Sequence, residues 1–259
     1  MDHVALSPLV LLLLWVAALA AGFVDAIAGG GGIITLPALL AAGLPPHLAL
    51  GTNKLQSSFG SLSAALSYRG GGLVRFRAML PGILFTLLGA AAGTLAVQAL
   101  DPGFLRWLIP VLLALVLAWT LRAPELGEGD TPPRLRPLPF YALAGLGLGF
   151  YDGFFGPGTG TFWTILLVGM LGLNLKTATA QTKVVNFVSN VTALAAFALG
   201  GHVILIPGLV MGSGQYLGAQ LGSRLVMRRH VRLVRTVFRL VVAATLLKLV
   251  WDLLRPHLG

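Results

Sequence analysis

Four ionisable residues stand deep in apolar sequence: Asp25, Lys54, Asp152 and Lys183. A charge at the middle of a membrane helix costs roughly 2.5 to 3.5 kcal/mol, so four unpaired charges would cost on the order of 10 kcal/mol. Two acids and two bases can compensate in two ways that do not exclude each other. They can pair into a ligand-free scaffold, or they can face a polar cavity that holds a solute. Their neighbours favour the cavity. Small polar residues crowd each lysine: Thr52, Asn53, Gln56, Ser57, Ser58, Ser61 and Ser63 around Lys54, and Thr177, Thr179, Gln181, Thr182, Asn186, Ser189 and Asn190 around Lys183. Helical spacing puts Lys54, Ser57, Ser58 and Ser61 on one face, and Lys183, Asn186 and Asn190 on another. A cation beside hydroxyl and amide groups suits an oxyanion. Each aspartate is followed four residues later by a glycine run, Gly29 to Gly32 or Gly156 to Gly160. Backbone N–H groups at a helix N-terminus attract anions, so Gly31 and Gly158 join Lys54, Lys183, Asn53, Ser57, Thr182 and Asn186 as candidate substrate ligands. Asp25 and Asp152 are expected to hold the broken helices or to carry a coupled proton.

The elements that position these residues are membrane helices. Of 259 residues 56% are hydrophobic and only 10% charged, whereas a soluble domain carries about 25% charged residues. Charge-free stretches give ten segments, near 8–27, 32–43, 46–68, 76–99, 103–121, 138–153, 159–172, 175–200, 203–227 and 231–254. The second and seventh are short and follow the glycine runs, which predicts half-helices or re-entrant arms. Residues 8–27 read as a retained span and not as a signal peptide, because only Asp2 and His3 precede them and no basic leader is present; Ser7 is the expected N-cap and Pro8 the first helical residue. The net charge of +10 does not point to nucleic acid, because the arginines cluster between spans: Arg69, Arg75 and Arg77; Arg122, Arg134 and Arg136; Arg224, Arg228, Arg229, Arg232 and Arg235. That is the pattern of cytoplasmic loops. Arg228, Arg232, Arg235 and Arg239 share a helical face suited to anionic lipid. With no cysteine and no carboxylate or histidine cluster at ligand spacing, neither a metal nor any other cofactor is expected.

The chain also repeats itself. Gly22-Phe23-Val24-Asp25 matches Gly149-Phe150-Tyr151-Asp152 at an offset of 127. Beyond the glycine runs the offset becomes 129, placing Thr52-Asn53-Lys54 on Gln181-Thr182-Lys183, Ser57 on Asn186, and Gly89 and Gly93 on Gly218 and Gly222. The expected organisation is all-α: a first transmembrane repeat over 1–121, a cytoplasmic linker over 122–138 containing Glu125, Glu128 and Asp130, and a second repeat over 139–259. Five segments per half invert the second relative to the first, and the basic clusters then all fall on one side with both termini outside. The Gly-x-x-x-Gly pairs read as helix-packing seams. His47 and His202 fall at outer segment ends.

The paired Gly-Phe-x-Asp with its glycine run, followed by Gly51-Thr52-Asn53-Lys54 in one half and Gln181-Thr182-Lys183 in the other, resembles the TauE/SafE-type sulfite exporter family of bacterial membrane transporters, also called toluene sulfonate uptake permeases. The second half departs from the first in carrying Gly156-Pro157-Gly158-Thr159-Gly160 instead of four consecutive glycines. The resemblance spans nearly the whole chain. It implies a proton-linked, non-enzymatic transporter of the bacterial inner membrane for a small sulfur-containing oxyanion such as sulfite or thiosulfate, or for a sulfonate, with lipid as the surrounding partner; a homodimer is compatible with it. Two other readings use the same residues. A passive anion channel would share the site without proton coupling. An intramembrane aspartic protease would pair Asp25 with Asp152, but it lacks the Gly-x-Gly-Asp sequence and gives no role to the lysines.

Overall fold

The structure, a computed structural model, describes residues 6–122 and 129–228. These residues form helices joined by short connections: α1 (Pro8–Ala28), α2 (Gly31–Ala41), α3 (Pro46–Gly70), α4 (Phe76–Gln98), α5 (Pro102–Arg122), α6 (Pro137–Phe154), α7 (Thr159–Leu171), α8 (Leu175–Leu199) and α9 (Leu205–Arg228). Each coincides with one of the first nine expected segments to within two residues. The tenth, 231–254, lies outside the described residues, as do Arg229, Arg232, Arg235 and Arg239.

Local chemistry explains the boundaries. The Ser7 hydroxyl accepts from the Val10 N–H at 3.3 Å, with Pro8 opening α1, and the Asn174 side chain caps α8 by accepting from Thr177 N–H at 2.9 Å. Glycine with positive φ stops α1 at Gly29 and α7 at Gly172. With 11 and 13 residues, α2 and α7 extend only about 16 to 20 Å, short of the roughly 30 Å hydrocarbon core, as expected of half-helices.

The polarity is that of a membrane protein. Leu9, Leu12, Leu13 and Val16 of α1 and Leu80, Leu84, Leu88 and Leu95 of α4 face outward and exposed, while Lys54, Gln56, Lys183, Thr182 and Gln215 are buried. A helix apolar on its outer face needs a lipid surrounding. Three helices, Pro8–Ala28, Phe76–Gln98 and Leu175–Leu199, are individually long and apolar enough to cross a bilayer.

Two glycine seams tie the halves together, as the Gly-x-x-x-Gly pairs predict. α4 packs along α6 and α9 along α1. An added Cβ at Gly89 would lie 2.8 Å from Phe150 N, and one at Gly218 would lie 2.8 Å from Phe23 N. Gly93 and Gly222 meet the next turns, at Phe150 and Phe154 and at Phe23. The backbones approach this closely only because no side chain intervenes.

The two ends of the bundle differ in charge. At one end Val74, Leu171 and Leu173 pack against one buried cluster that includes Phe140, and Leu73 and Met227 against another, while the Thr131 and Arg134 N–H groups donate to Gly172 and Met170 carbonyls at 2.8 Å. The α3–α4 loop, the linker, the α7–α8 loop and the end of α9 therefore gather there, and with them the exposed Arg69, Arg75, Arg77, Arg134, Arg136, Arg224 and Arg228. The opposite end holds His47 and His202, whose rings stack 5.0 Å apart, with Arg106 exposed nearby on α5.

Candidate functional site

The site lies where the two broken helix pairs meet. The break between α1 and α2 falls at Gly29 and Gly30, and that between α6 and α7 at Phe155 to Gly158. A Cβ on Gly160 would sit 2.7 Å from Gly29 Cα. The Thr161 hydroxyl reaches across, donating to the carbonyls of Ala28, at 2.9 Å, and Gly29. Tyr151 braces the second break by donating from its hydroxyl to Pro157 O at 2.6 Å. Each break thus props the other.

Both lysines pair with an aspartate of the opposite half. Lys54 Nζ lies 2.7 Å from Asp152 Oδ1 and also donates to the Asp152 carbonyl. Lys183 Nζ lies 2.9 Å from Asp25 Oδ2. Three of the four side chains are almost fully buried, and Asp25 is the exception at 20% exposed. Burial makes these pairs obligatory, since a lone charge here would go unsolvated. Gly156 allows the first pair to form: its φ is +103, and a Cβ there would stand 2.7 Å from Lys54 Nζ. The second carboxylate oxygen of Asp152 accepts from the Ser189 hydroxyl.

A cavity of about 30 Å³ opens between the pairs. A water molecule needs roughly 10 to 15 Å³ on this measure, so the space suits water or a compact ion and has no room for an aromatic ring. Of the residues expected at a binding site, Lys54, Asn53, Ser57, Asn186, Gly31 and Gly158 line it, together with Asp25 and Asp152. Lys183 and Thr182 are fully buried instead, Lys183 against Asp25 and Thr182 with its hydroxyl 3.2 Å from that of Thr164. The matching tie in the first half is the Thr35 hydroxyl donating to Asn53 Oδ1 at 2.6 Å. These bonds fasten α2 to α3 and α7 to α8.

The first glycine run is arranged differently from an open anion site. The N–H groups of Gly30 and Gly31 donate to Asp25 Oδ1 at 3.0 and 3.1 Å, so the protein's own carboxylate takes the N-terminus of α2. The serine face of α3 also narrows: Ser58 and Ser61 hydroxyls donate to the Lys54 and Ser57 carbonyls one turn back, which leaves Ser57 at the cavity.

Besides Gly30, Gly32, Gly156 and Gly160 of the glycine runs, three cavity residues were not among the expected ligands: Thr159, Asn190 and Gln215. Asn190 lay on the recognised Lys183 face, so its helical spacing already marked it. Gln215 carried a fainter signal, a carboxamide set between Gly212, Gly214 and Gly218. Nothing in the local sequence marks Ser189 as the partner of Asp152.

Among the described residues, an all-helical bundle with an apolar exterior, two broken helix pairs and a charged, hydrogen-bonding cavity at their crossing fits a polytopic membrane protein. Comparison with known proteins gives the family: residues 14–249 match the model of the sulfite exporter TauE/SafE family, and the chain belongs to it. Its relatives include the probable membrane transporter protein YfcA of Escherichia coli strain K12, 44% identical over 95% of this chain and 91% of that protein. A probable membrane transporter protein of Haemophilus influenzae is 44% identical over 90% of this chain and 91% of its own. The probable membrane transporter protein ORF9 of Sinorhizobium sp is 43% identical over 94% and 93%. No solved structure matches the chain. The chain is a membrane transporter of that family and not an enzyme. The two carboxylates suit no protease dyad, because each is held by its own lysine.

Proposed function

We propose that this protein is a secondary transporter that moves a small sulfur-containing oxyanion, sulfite-like in size, across the bacterial inner membrane together with a proton. One observation carries the reading: Lys54 lines a buried polar cavity while bonded to Asp152 of the opposite half. An incoming anion meets a cation that a carboxylate already neutralises. A proton on Asp152 removes that competition and leaves Lys54 positive, so proton and anion load together. Asn53, Ser57 and Asn186 supply hydrogen bonds, and Gly31 and Gly158 bring the backbone close. Lys183 holds Asp25, which fixes the start of α2. The cavity volume favours a compact oxyanion over a bulky sulfonate.

Inverted repeats and alternating access complete the proposal. The repeat-matched seams, Gly89 and Gly93 on α6 and Gly218 and Gly222 on α1, support two halves of the same design exchanging their first helices. The gathering of arginines at one end supports a cytoplasmic linker with the N-terminus outside. Rocking of one half on the other would expose the cavity to each side in turn.

Sulfite flux into proteoliposomes tests the function. Uptake by the parent chain should rise with an inwardly directed proton gradient and vanish in Lys54→Gln. Flux that ignores the proton gradient would establish the channel instead, and undiminished flux in Lys54→Gln would remove the cavity from the pathway.

A further inference from the structure

Gln215 is buried at the crossing of α1, α2 and α3 with only 2% of its surface exposed. Glycines on three helices make its slot. A Cβ at Gly22 would lie 2.7 Å from Gln215 Oε1, one at Gly60 2.5 Å from the same atom, and one at Gly31 3.3 Å from Nε2. A slot cut this closely delivers the amide to one place, the cavity beside Asp25. Yet among the described residues nothing bonds to that amide. Asn190, 8% exposed, lines the same cavity and is likewise unpartnered among those residues.

A side-chain amide that reaches a cavity with no protein partner leaves its hydrogen bonds to whatever fills the cavity. Two around one cavity make sense if its occupant supplies the missing bonds. The occupant must offer several acceptor oxygens within reach of amide N–H groups and of the Lys54 ammonium. A pyramidal or tetrahedral oxyanion does so. Neutral donors also suit a site that must release its cargo, because they orient an anion without adding fixed positive charge.

We propose that Gln215, together with Asn190, is a specificity-determining ligand of the transported oxyanion; this rests on the anion-transport reading above and names residues which that reading does not use. Loss of one hydrogen bond to a charged ligand weakens binding by about 10- to 100-fold.

The test measures sulfite and thiosulfate binding to the purified full chain in detergent, by calorimetry and by ligand-induced thermal shift. Gln215→Met keeps the length of the side chain and removes its polarity; Asn190→Leu does the same on α8. Both should bind sulfite about 10- to 100-fold more weakly. Without ligand, Gln215→Met should melt at or above the parent temperature, since it removes an unpaired amide. A residue serving only the fold would instead lower the ligand-free melting temperature and leave affinity intact. Parent-like sulfite affinity in both variants overturns this assignment alone. A parent chain that binds neither sulfite nor thiosulfate overturns the oxyanion reading and this assignment with it.

Discussion

Removing the Lys54 side chain separates what holds the bundle from what serves the solute. In Lys54→Met the Asp152 carboxylate, 4% exposed, loses its counter-charge and keeps only the Ser189 hydroxyl. Breaking a buried pair from one side destabilises by about 3 to 5 kcal/mol, whereas replacing both partners with neutral groups is often close to neutral. At about 2 to 4 °C per kcal/mol for a chain of this size, the single variant should melt ~6–20 °C below the parent. The double variant Lys54→Met/Asp152→Asn should regain most of that loss, because no uncompensated charge remains. It should still transport no sulfite, since no cation faces the cavity. Thermal unfolding in detergent and flux in proteoliposomes, run on the same four proteins, give the complete cycle. A double variant as unstable as Lys54→Met would show that the pair is not what stabilises this crossing. A double variant with parental flux would refute the role given to Lys54.

Gly218→Ala should open the α1–α9 seam, because its Cβ would meet the Phe23 amide nitrogen at 2.8 Å and the Leu19 carbonyl closer still. Overpacking of this kind costs about 1 to 3 kcal/mol; Gly147→Ala, where a Cβ meets nothing within 4 Å, should melt like the parent or slightly higher, and equal melting of the two variants would refute the seam. His202, in the loop between α8 and α9, has its pKa held below the ordinary 6.5 by burial and then by the neighbouring His47 ring. The folded state therefore prefers neutral His202, and its contribution to stability is complete above pH 6.5 and declines as pH falls through that value. Melting curves from pH 8 to 5 should show a decline that His202→Asn reduces; an identical decline in that variant would place the titration elsewhere.

Much of this was legible because the membrane imposes simple rules. Charge-free runs gave the nine described helices, and the repeat gave both seams, because a backbone contact needs glycine whatever surrounds it. The cost of burying charge left pairing and a solute-holding cavity both open for Asp25, Asp152 and the two lysines, and it did not say which acid would meet which base. Only the fold crosses the halves, bringing Lys54 to Asp152 and Lys183 to Asp25. The glycine runs promised open backbone donors, and the sequence could not reveal that Asp25 would turn back to occupy the first set. Gln215 was hidden for a related reason: its meaning comes from Gly22, Gly31 and Gly60 on three other helices, a relation that no local pattern records.

The repeat also predicts two equivalent pairs, and their surroundings separate them. Asp25 accepts from two backbone N–H groups as well as from Lys183, so its charge is satisfied by groups that cannot leave without unwinding the start of α2. Asp152 rests on two side chains, Lys54 and the Ser189 hydroxyl. Lys183 is sealed, while Lys54 borders the cavity. Position 189 corresponds to Gly60 in the first half, and that glycine makes room for Gln215 where the second half has a hydroxyl for its aspartate. Position 215 in turn corresponds to Thr86, so two differences between the repeats, Gly60 against Ser189 and Thr86 against Gln215, separate the surroundings of the two pairs. On the proposed reading the two pairs divide the work, Asp25 with Lys183 bracing the broken helix and Asp152 with Lys54 exchanging charge with the solute.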